Sequence, residues 1–165
     1  MRSLTKFAAV FTLFASHAFA GGSAIDVGHG IKLGETFEPE QAISTQKSTF
    51  GNKVLHKFKP VSADGNLGNY YVALTPESGR VYEIWAIKHF EKSVPCRDLR
   101  DASFKKLQER FPDAQTKRAM MSPDGRRSVI KGGTTVSVAC KTGIGKSTFY
   151  MRHRHEALHN QVAQR

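Results

Sequence analysis

The chain has 165 residues, of which 25 are lysine or arginine and 14 are aspartate or glutamate, so its formal net charge is +11. This length is sufficient for one domain with a hydrophobic core and leaves little room for a second domain. The charge favours anionic partners, such as acidic proteins, nucleic acid, phosphorylated lipid head groups or cell-wall polymers, but it does not choose among them.

The first 20 residues show the three-part pattern of an export signal. Arg2 and Lys6 precede an uncharged apolar run, and Ala18 and Ala20 supply the small residues that precede a cleavage point. The run is too short for a transmembrane anchor, which needs about 20 apolar residues, and no cysteine follows the cleavage point to carry a lipid. We therefore expect an exported protein, periplasmic or secreted, that consists of residues 21–165 as a single small basic domain with a net charge of +9.

The elements that follow are extended. Glycine is frequent at the start, where the pattern predicts a short strand at residues 31–33 and a brief helix capped by Thr36. Residues 53–59 alternate in polarity, which predicts a strand. Residues 70–74 and 81–90 are rich in aromatic and β-branched side chains, and proline and glycine lie in their connection. This pattern predicts a β-hairpin.

A helix and a second group of strands follow the hairpin. Apolar residues recur at three- and four-residue steps through residues 96–111, so one stripe of this helix should pack on the sheet. Residues 128–130, 134–140 and 147–155 predict a meander, and the polar residues 156–165 predict a frayed helix or a disordered tail. Together these elements predict an α+β domain with an antiparallel sheet of about five strands in two blocks and one main amphipathic helix on one face.

The two cysteines, Cys96 and Cys140, are predicted to form a disulfide. In an oxidising compartment, an even pair in a small domain is more often bridged than free. Cys96 lies on the apolar stripe of the helix, and Cys140 ends an alternating strand on the face that also carries Val136 and Val138. The bond would therefore join helix to sheet. The C-x-x-C spacing of redox centres is absent.

The most reactive side chains lie near the C-terminus. His153 and His155 are two residues apart on a predicted strand, so they project from the same face. They could hold zinc or copper with His159 or Glu156 as a third ligand, or act as acid and base in phosphodiester cleavage beside neighbouring cations. A solvated cationic strand ranks above both hypotheses, because two histidines without a clear third ligand are weak evidence.

Positive charge is concentrated in the second half of the chain. The candidate binding cations are Arg126, Arg127, Lys146, Arg152 and Arg154. Four aromatic residues could add stacking surfaces for bases or sugars, although aromatic residues in strands more often belong to a core. They are Tyr71, Tyr82, Trp85 and Tyr150.

The sequence lacks the G-x-S-x-G and H-E-x-x-H motifs of common hydrolases, and both cysteines are assigned to the disulfide. We therefore interpret the chain as a non-enzymatic exported binding protein of the inhibitor, immunity or envelope-accessory type. It is expected to engage an anionic macromolecule without a cofactor. A partner protein is the first candidate and nucleic acid a lower one. The alternative is a small secreted nuclease or metal-binding protein that uses His153 and His155.

Overall fold

The computed structural model describes residues 30–47, 53–61, 67–119 and 122–164, and the export-signal segment lies outside them. Within these residues, two helices pack on one antiparallel sheet of eight strands, which confirms the predicted α+β class. In this part of the chain no helix combines the length and apolarity that crossing a membrane requires.

Two blocks of four strands are each followed by a helix. The first block comprises β1 (Ser44–Lys47), β2 (Val54–Phe58), β3 (Asn69–Leu74) and β4 (Val81–Phe90), and the long helix α1 (Ser93–Arg110) follows it. The second block comprises β5 (Gln115–Arg118), β6 (Arg127–Lys131), β7 (Thr134–Gly143) and β8 (Lys146–His155), and the short helix α2 (Glu156–Ala163) follows it.

The strand order across the sheet is β1-β2-β3-β4-β8-β7-β6-β5. Each block is thus a meander, and the two blocks meet at the centre, where β4 pairs with β8. Two-residue hairpins join β6 to β7 and β7 to β8. Between β6 and β7, Gly132 and Gly133 both have positive φ, at 55° and 73°. A two-residue hairpin that matches the twist of its strands requires this backbone geometry.

A different helix packs on each face of the sheet. Helix α1 packs on one face, the α1 face, against β4, β6, β7 and β8. There Cys96 of α1 is bonded to Cys140 of β7, with their Cα atoms 5.8 Å apart, which confirms the predicted disulfide. Helix α2 packs on the opposite face, the α2 face, against β4 and β8. Its Leu158 joins a smaller apolar cluster there with Leu55, Ala73, Tyr82 and Trp85.

The predicted number of about five strands was wrong, because the described residues form eight in one continuous sheet. Two strands that the sequence did not reveal are the edges, β1 and β5. Every residue of these two strands is polar and exposed. Such strands bury no alternating apolar face, so their pairing leaves no period-two pattern in the sequence. Polar, lysine-containing edges also resist pairing with other chains.

Two smaller expectations at the start of the described chain also differ. Residues 31–33 are not a strand, because Gly30 and Gly34 adopt positive φ on either side and Gly34 donates its N–H to the carbonyl of Val81 at 2.7 Å. The brief helix is a single 3₁₀ turn at Pro39–Gln41, and its N-cap is Glu38 rather than Thr36. Thr36 instead pairs with Arg80 as an isolated bridge.

The C-terminal segment contains a short helix. Helix α2 spans Glu156–Ala163, and its Leu158 is 6% exposed. The fold therefore has a second helix beside the one main helix that the sequence predicted. Leu158 is the one buried residue of this helix, so the sequence carries only a weak periodic signal for it.

Candidate functional site

Four half-buried or nearly buried side chains form a patch at the centre of the α2 face. The strand register places Tyr71 opposite Trp85 and Ile87 opposite Tyr150. Tyr71, Ile87 and Tyr150 each retain partial exposure, whereas Trp85 is 6% exposed. We call these four residues the aromatic patch. Helix α2 covers the neighbouring part of the face and leaves the patch accessible.

A cleft of about 90 Å³ opens beside the ring of Trp85. The rings of Trp85 and Tyr150 meet edge to face there, with centroids 6.3 Å apart and planes at 87°. Ser137 and Ala139 of β7 are small, so they leave room between their longer neighbours. We call this the Trp85 cleft. Its lining residues are Trp85, Asp124, Arg126, Ser137, Ala139, Lys141, Tyr150 and Arg152.

The lining of the cleft carries three cations and one acid, and the acid is already engaged. Asp124 accepts hydrogen bonds from the backbone N–H of Arg126 at 3.1 Å, from its guanidinium at 3.0 Å, and from the hydroxyl of Ser122. Burial acts to raise the pKa of Asp124, but these hydrogen bonds and the nearby guanidinium outweigh it and lower the pKa. Positive charge is therefore in excess at the cleft.

Arg152 is the least satisfied of the three cations. Its guanidinium lies over the ring of Trp85 at 5.2 Å from the centroid, and 18% of its side chain is exposed. Its only ion pair among the described residues is a long one, with Nη1 4.0 Å from Oε1 of Glu83. Burial lowers the pKa of Arg152, and Arg154 and Arg126 act in the same direction while Glu83 opposes them. In the same part of the chain its five N–H donors make no hydrogen bond.

Beneath α2, beside the cleft, Glu83 is a fully buried carboxylate. A β-bulge in β4, where Ala73 pairs with Glu83 but Leu74 pairs with Val81, leaves one extra residue and turns both Tyr82 and Glu83 toward the α2 face. The carboxylate accepts from Nζ of Lys53 at 2.9 Å on each oxygen and from Nε1 of Trp85 at 3.0 Å. Burial and the charge of Glu83 raise the pKa of Tyr82 to about 12.

His159 of α2 completes this buried cluster. Its Nδ1 lies 3.4 Å from Oε1 of Glu83, and its Nε2 lies 3.4 Å from the guanidinium of Arg154. A guanidinium can only donate, so Nε2 is assigned as the acceptor and Nδ1 carries the proton that faces Glu83. Burial, followed by the charge of Arg154, lowers the pKa of His159 and outweighs the opposing effect of Glu83. The lowered pKa favours the neutral imidazole. Its contact with Glu83 joins α2 to the sheet.

A wider groove of about 700 Å³ lies at the strand ends next to α2. Its titratable side chains are already engaged: Lys53 and His159 contact Glu83, and Nδ1 of His56 lies 3.2 Å from the hydroxyl of Thr45. The remaining lining is largely apolar, with Val54, Leu74, Pro76, Tyr82 and Val162.

The structure brings together two of the five predicted binding cations, Arg126 and Arg152, at the Trp85 cleft. Arg127 instead lies on the α1 face, where it donates to Asp101 at 3.2 Å and lies over the ring of Phe104. Arg154 is paired with Glu156 at 2.9 Å. Lys146 lies at the exposed turn between β7 and β8.

The three candidate histidines have different surroundings. His153 has no exposed surface and lies on the α1 face of β8. His155 caps α2, where its Nδ1 accepts from the N–H of Leu158 at 3.5 Å. His159 lies beside Glu83 on the opposite side of the sheet. In the described segments, no group of three histidine, cysteine or acidic residues is positioned to hold a metal ion.

Glu83 and the small residues of the cleft are the features that sequence reasoning missed. The available signal was a single acid, Glu83, within the apolar run of β4. A carboxylate between Tyr82 and Ile84 either points to solvent on an exposed face of the sheet or is buried, and a buried carboxylate needs a partner. Ser137 and Ala139 gave no signal, since a space between strands depends on the neighbours that the register supplies.

Comparisons of this chain with protein-family models, with curated proteins and with solved structures found no match.

Proposed function

We propose that this chain is an exported, non-enzymatic binding protein that engages an acidic partner protein through the aromatic patch and the Trp85 cleft. The observation that carries the proposal is the composition of this surface. Half-buried Tyr71, Ile87 and Tyr150 lie beside a cleft with three cations and one engaged acid. Tyrosine, tryptophan and arginine around a small pocket are the residue types that dominate the binding energy of protein interfaces.

The charge of the chain supports an acidic partner rather than a basic one. The net charge of +9 that residues 21–165 carry attracts anionic surfaces over a distance, and the cleft supplies a local focus for the same sign. The export part of the proposal has separate support. It rests on the N-terminal signal pattern, which lies outside the described residues, and on the Cys96–Cys140 disulfide, which suits an oxidising compartment.

Capture of partners from the native envelope fraction tests the proposal with two charge-matched variants. The double variant Lys57→Glu, Lys141→Glu reverses two cations of the α2 face. The control Arg97→Glu, Lys106→Glu makes the same change in net charge at two exposed positions of α1. We expect the first variant to lose the captured partner and the second to keep it, with capture by the unmodified protein weakening as salt concentration rises.

Equal capture by both variants, or capture that is indifferent to salt, would contradict this function. The nuclease alternative has its own assay. Cleavage of RNA or DNA by the purified protein, with or without divalent metal, and its loss in a His153→Ala, His155→Ala variant, would replace a binding protein with an enzyme. The burial of His153 argues against that result, because a substrate could not reach its imidazole without movement of the core.

A further inference from the structure

We infer that the Trp85 cleft is the anchor pocket for one carboxylate side chain of the partner, bound by the guanidinium of Arg152. This inference rests on the proposed function and specifies which atom group of the partner enters which site. Three observations support it. Arg152 makes no hydrogen bond among the described residues, the cleft is small, and the guanidinium of Arg152 lies over the ring of Trp85.

Arg152 has donors available for an incoming carboxylate. Glu83 is the nearest acid, but both of its oxygens are bonded to Lys53 and one also accepts from Trp85, so the guanidinium remains at 4.0 Å. The guanidinium of Arg152 is largely removed from solvent and its one ion pair among the described residues is long, so its unused donors would gain from a second carboxylate. The planar guanidinium can donate two parallel N–H bonds to one carboxylate. Such charge-assisted hydrogen bonds are shorter and stronger than neutral ones.

The size of the cleft indicates one side chain rather than a free ligand. Pockets for small molecules occupy roughly 300–1,000 Å³. The Trp85 cleft measures about 90 Å³, so it suits a single charged group whose carrier lies outside it. The aromatic patch next to the cleft offers an apolar surface on which the rest of such a carrier would lie.

The position of the Arg152 guanidinium over the ring of Trp85 favours binding of a carboxylate rather than a nucleobase. Single-stranded nucleic acid binds to sheet faces by stacking bases on accessible aromatic rings. Here Arg152 occupies the face of the Trp85 ring, and Trp85 is 6% exposed. The ring therefore serves as a wall of the cleft and as a support for the guanidinium, not as a stacking platform.

Trp85 is the single tryptophan of the chain, so its fluorescence reports on this cleft alone. We would titrate the purified protein, to millimolar concentration and at constant ionic strength, with four probes. They are the capped tripeptide leucyl-glutamyl-leucine, its glutaminyl counterpart, inorganic phosphate and an oligothymidylate. We expect a saturable change with the glutamyl peptide and about tenfold weaker binding of the glutaminyl peptide, as for loss of one charge-assisted pair.

Arg152→Lys keeps the charge but removes the planar fork, and we expect it to weaken binding of the glutamyl peptide about tenfold. Lys106→Gln, on the opposite side of the molecule, should leave the affinity for the glutamyl peptide unchanged. The unfolding transition of the Arg152→Lys variant verifies that it is folded. Arg126→Gln provides a second variant at the exposed mouth of the cleft and should weaken binding less.

Four results would overturn the anchor pocket: no response to the glutamyl peptide, equal binding of the two peptides, tighter binding of the oligothymidylate, or a phosphate response as strong as that of the peptide. The capture experiment distinguishes this failure from failure of the proposed function. If Arg152→Lys keeps the native partner while Lys57→Glu, Lys141→Glu loses it, the α2 face binds the partner but the cleft is not its anchor. If both variants keep the partner, both proposals fail.

Discussion

The two faces of β8 show how one strand can serve a core and a surface. Phe149 and Met151 point to the α1 face, where they are 0% and 8% exposed. Tyr150 and Arg152 alternate with them on the α2 face and remain partly exposed. Since neighbouring side chains of a strand alternate, the difference comes from what covers each face rather than from the strand itself.

The lengths of the two helices account for this difference. With a rise of about 1.5 Å per residue, the 18 residues of α1 extend about 27 Å, whereas the 8 residues of α2 extend about 12 Å. Neighbouring strands are about 4.8 Å apart, so α1 can span four strands but α2 only about two. The short helix leaves part of the α2 face uncovered, and there the aromatic patch keeps partial exposure at Tyr71, Ile87 and Tyr150. Its apolar side chains are therefore available to a partner.

Substituting neighbours on β8 gives the sharpest test of the two faces. We expect Phe149→Ala to lower the free energy of unfolding by about 4 kcal/mol, because it opens a cavity under α1. Tyr150→Ala should cost about 1 kcal/mol, since the ring is only partly buried. Urea denaturation followed by far-UV circular dichroism measures both values. Similar losses would mean that the patch belongs to the core and is not a docking surface.

The buried carboxylate on the α2 face should have the next largest effect. Glu83→Gln removes the charge that Lys53 and Arg152 share, and we expect a loss of about 3 kcal/mol, because it leaves two half-buried cations without a counterion. The control is Asp113→Asn, which breaks the exposed pair with Lys131 and should leave stability almost unchanged. If Glu83→Gln lowered the free energy of unfolding as little as this control, solvent would have to reach Lys53 and Arg152 beneath α2. The buried cluster would then not hold the helix on the sheet.

His159 makes the attachment of α2 dependent on pH. Because its folded-state pKa lies below the ordinary value of 6.5, the unfolded chain takes up the proton first as the pH falls. The contribution of His159 is therefore fully present above pH 6.5 and is lost as the pH falls through the folded-state pKa. Hydrogen exchange of the α2 amides and urea midpoints across this interval measure the loss.

The groups around His159 define the control for this pH effect. Arg154 and Lys53 oppose its protonation, whereas Glu83 and Glu156 favour it. We expect His159→Gln to remove most of the change below pH 6.5. Asp124 and Glu156 have pKa values below their ordinary values of 3.8 and 4.5, so their contributions are lost only at pH values below these and do not confound the effect of His159. An equally steep pH dependence in the variant would assign the effect to another histidine.

The sequence predicted the parts of the fold that bury apolar side chains. The hairpin of β3 and β4, the helix α1 and the disulfide each have a periodic or covalent signal, and the structure contains all three. The edge strands β1 and β5 and the helix α2 bury few apolar side chains, so their sequences resemble loops.

The candidate site was predicted only as residue types. Arg126 and Arg152 are distant in sequence and are brought to one cleft by the loop before β6 and the register of β8. The sequence could not reveal that Arg127 would face α1 while Arg126 faces the cleft. That outcome depends on one residue of register, which exchanges the two faces of a strand.

The smallest effect that we predict concerns the lysines used in the capture experiment. Lys57→Glu, Lys141→Glu should change the free energy of unfolding by less than about 0.5 kcal/mol, because neither side chain is buried in a core cluster. The same variant should lose the partner, so its effect on binding should exceed its effect on stability. Thermal and urea unfolding beside the Arg97→Glu, Lys106→Glu control measure this. If the variant lost as much stability as Tyr150→Ala, its failure to capture a partner would report a weakened fold, and the docking role of the α2 face would then depend on the Arg152 titrations alone.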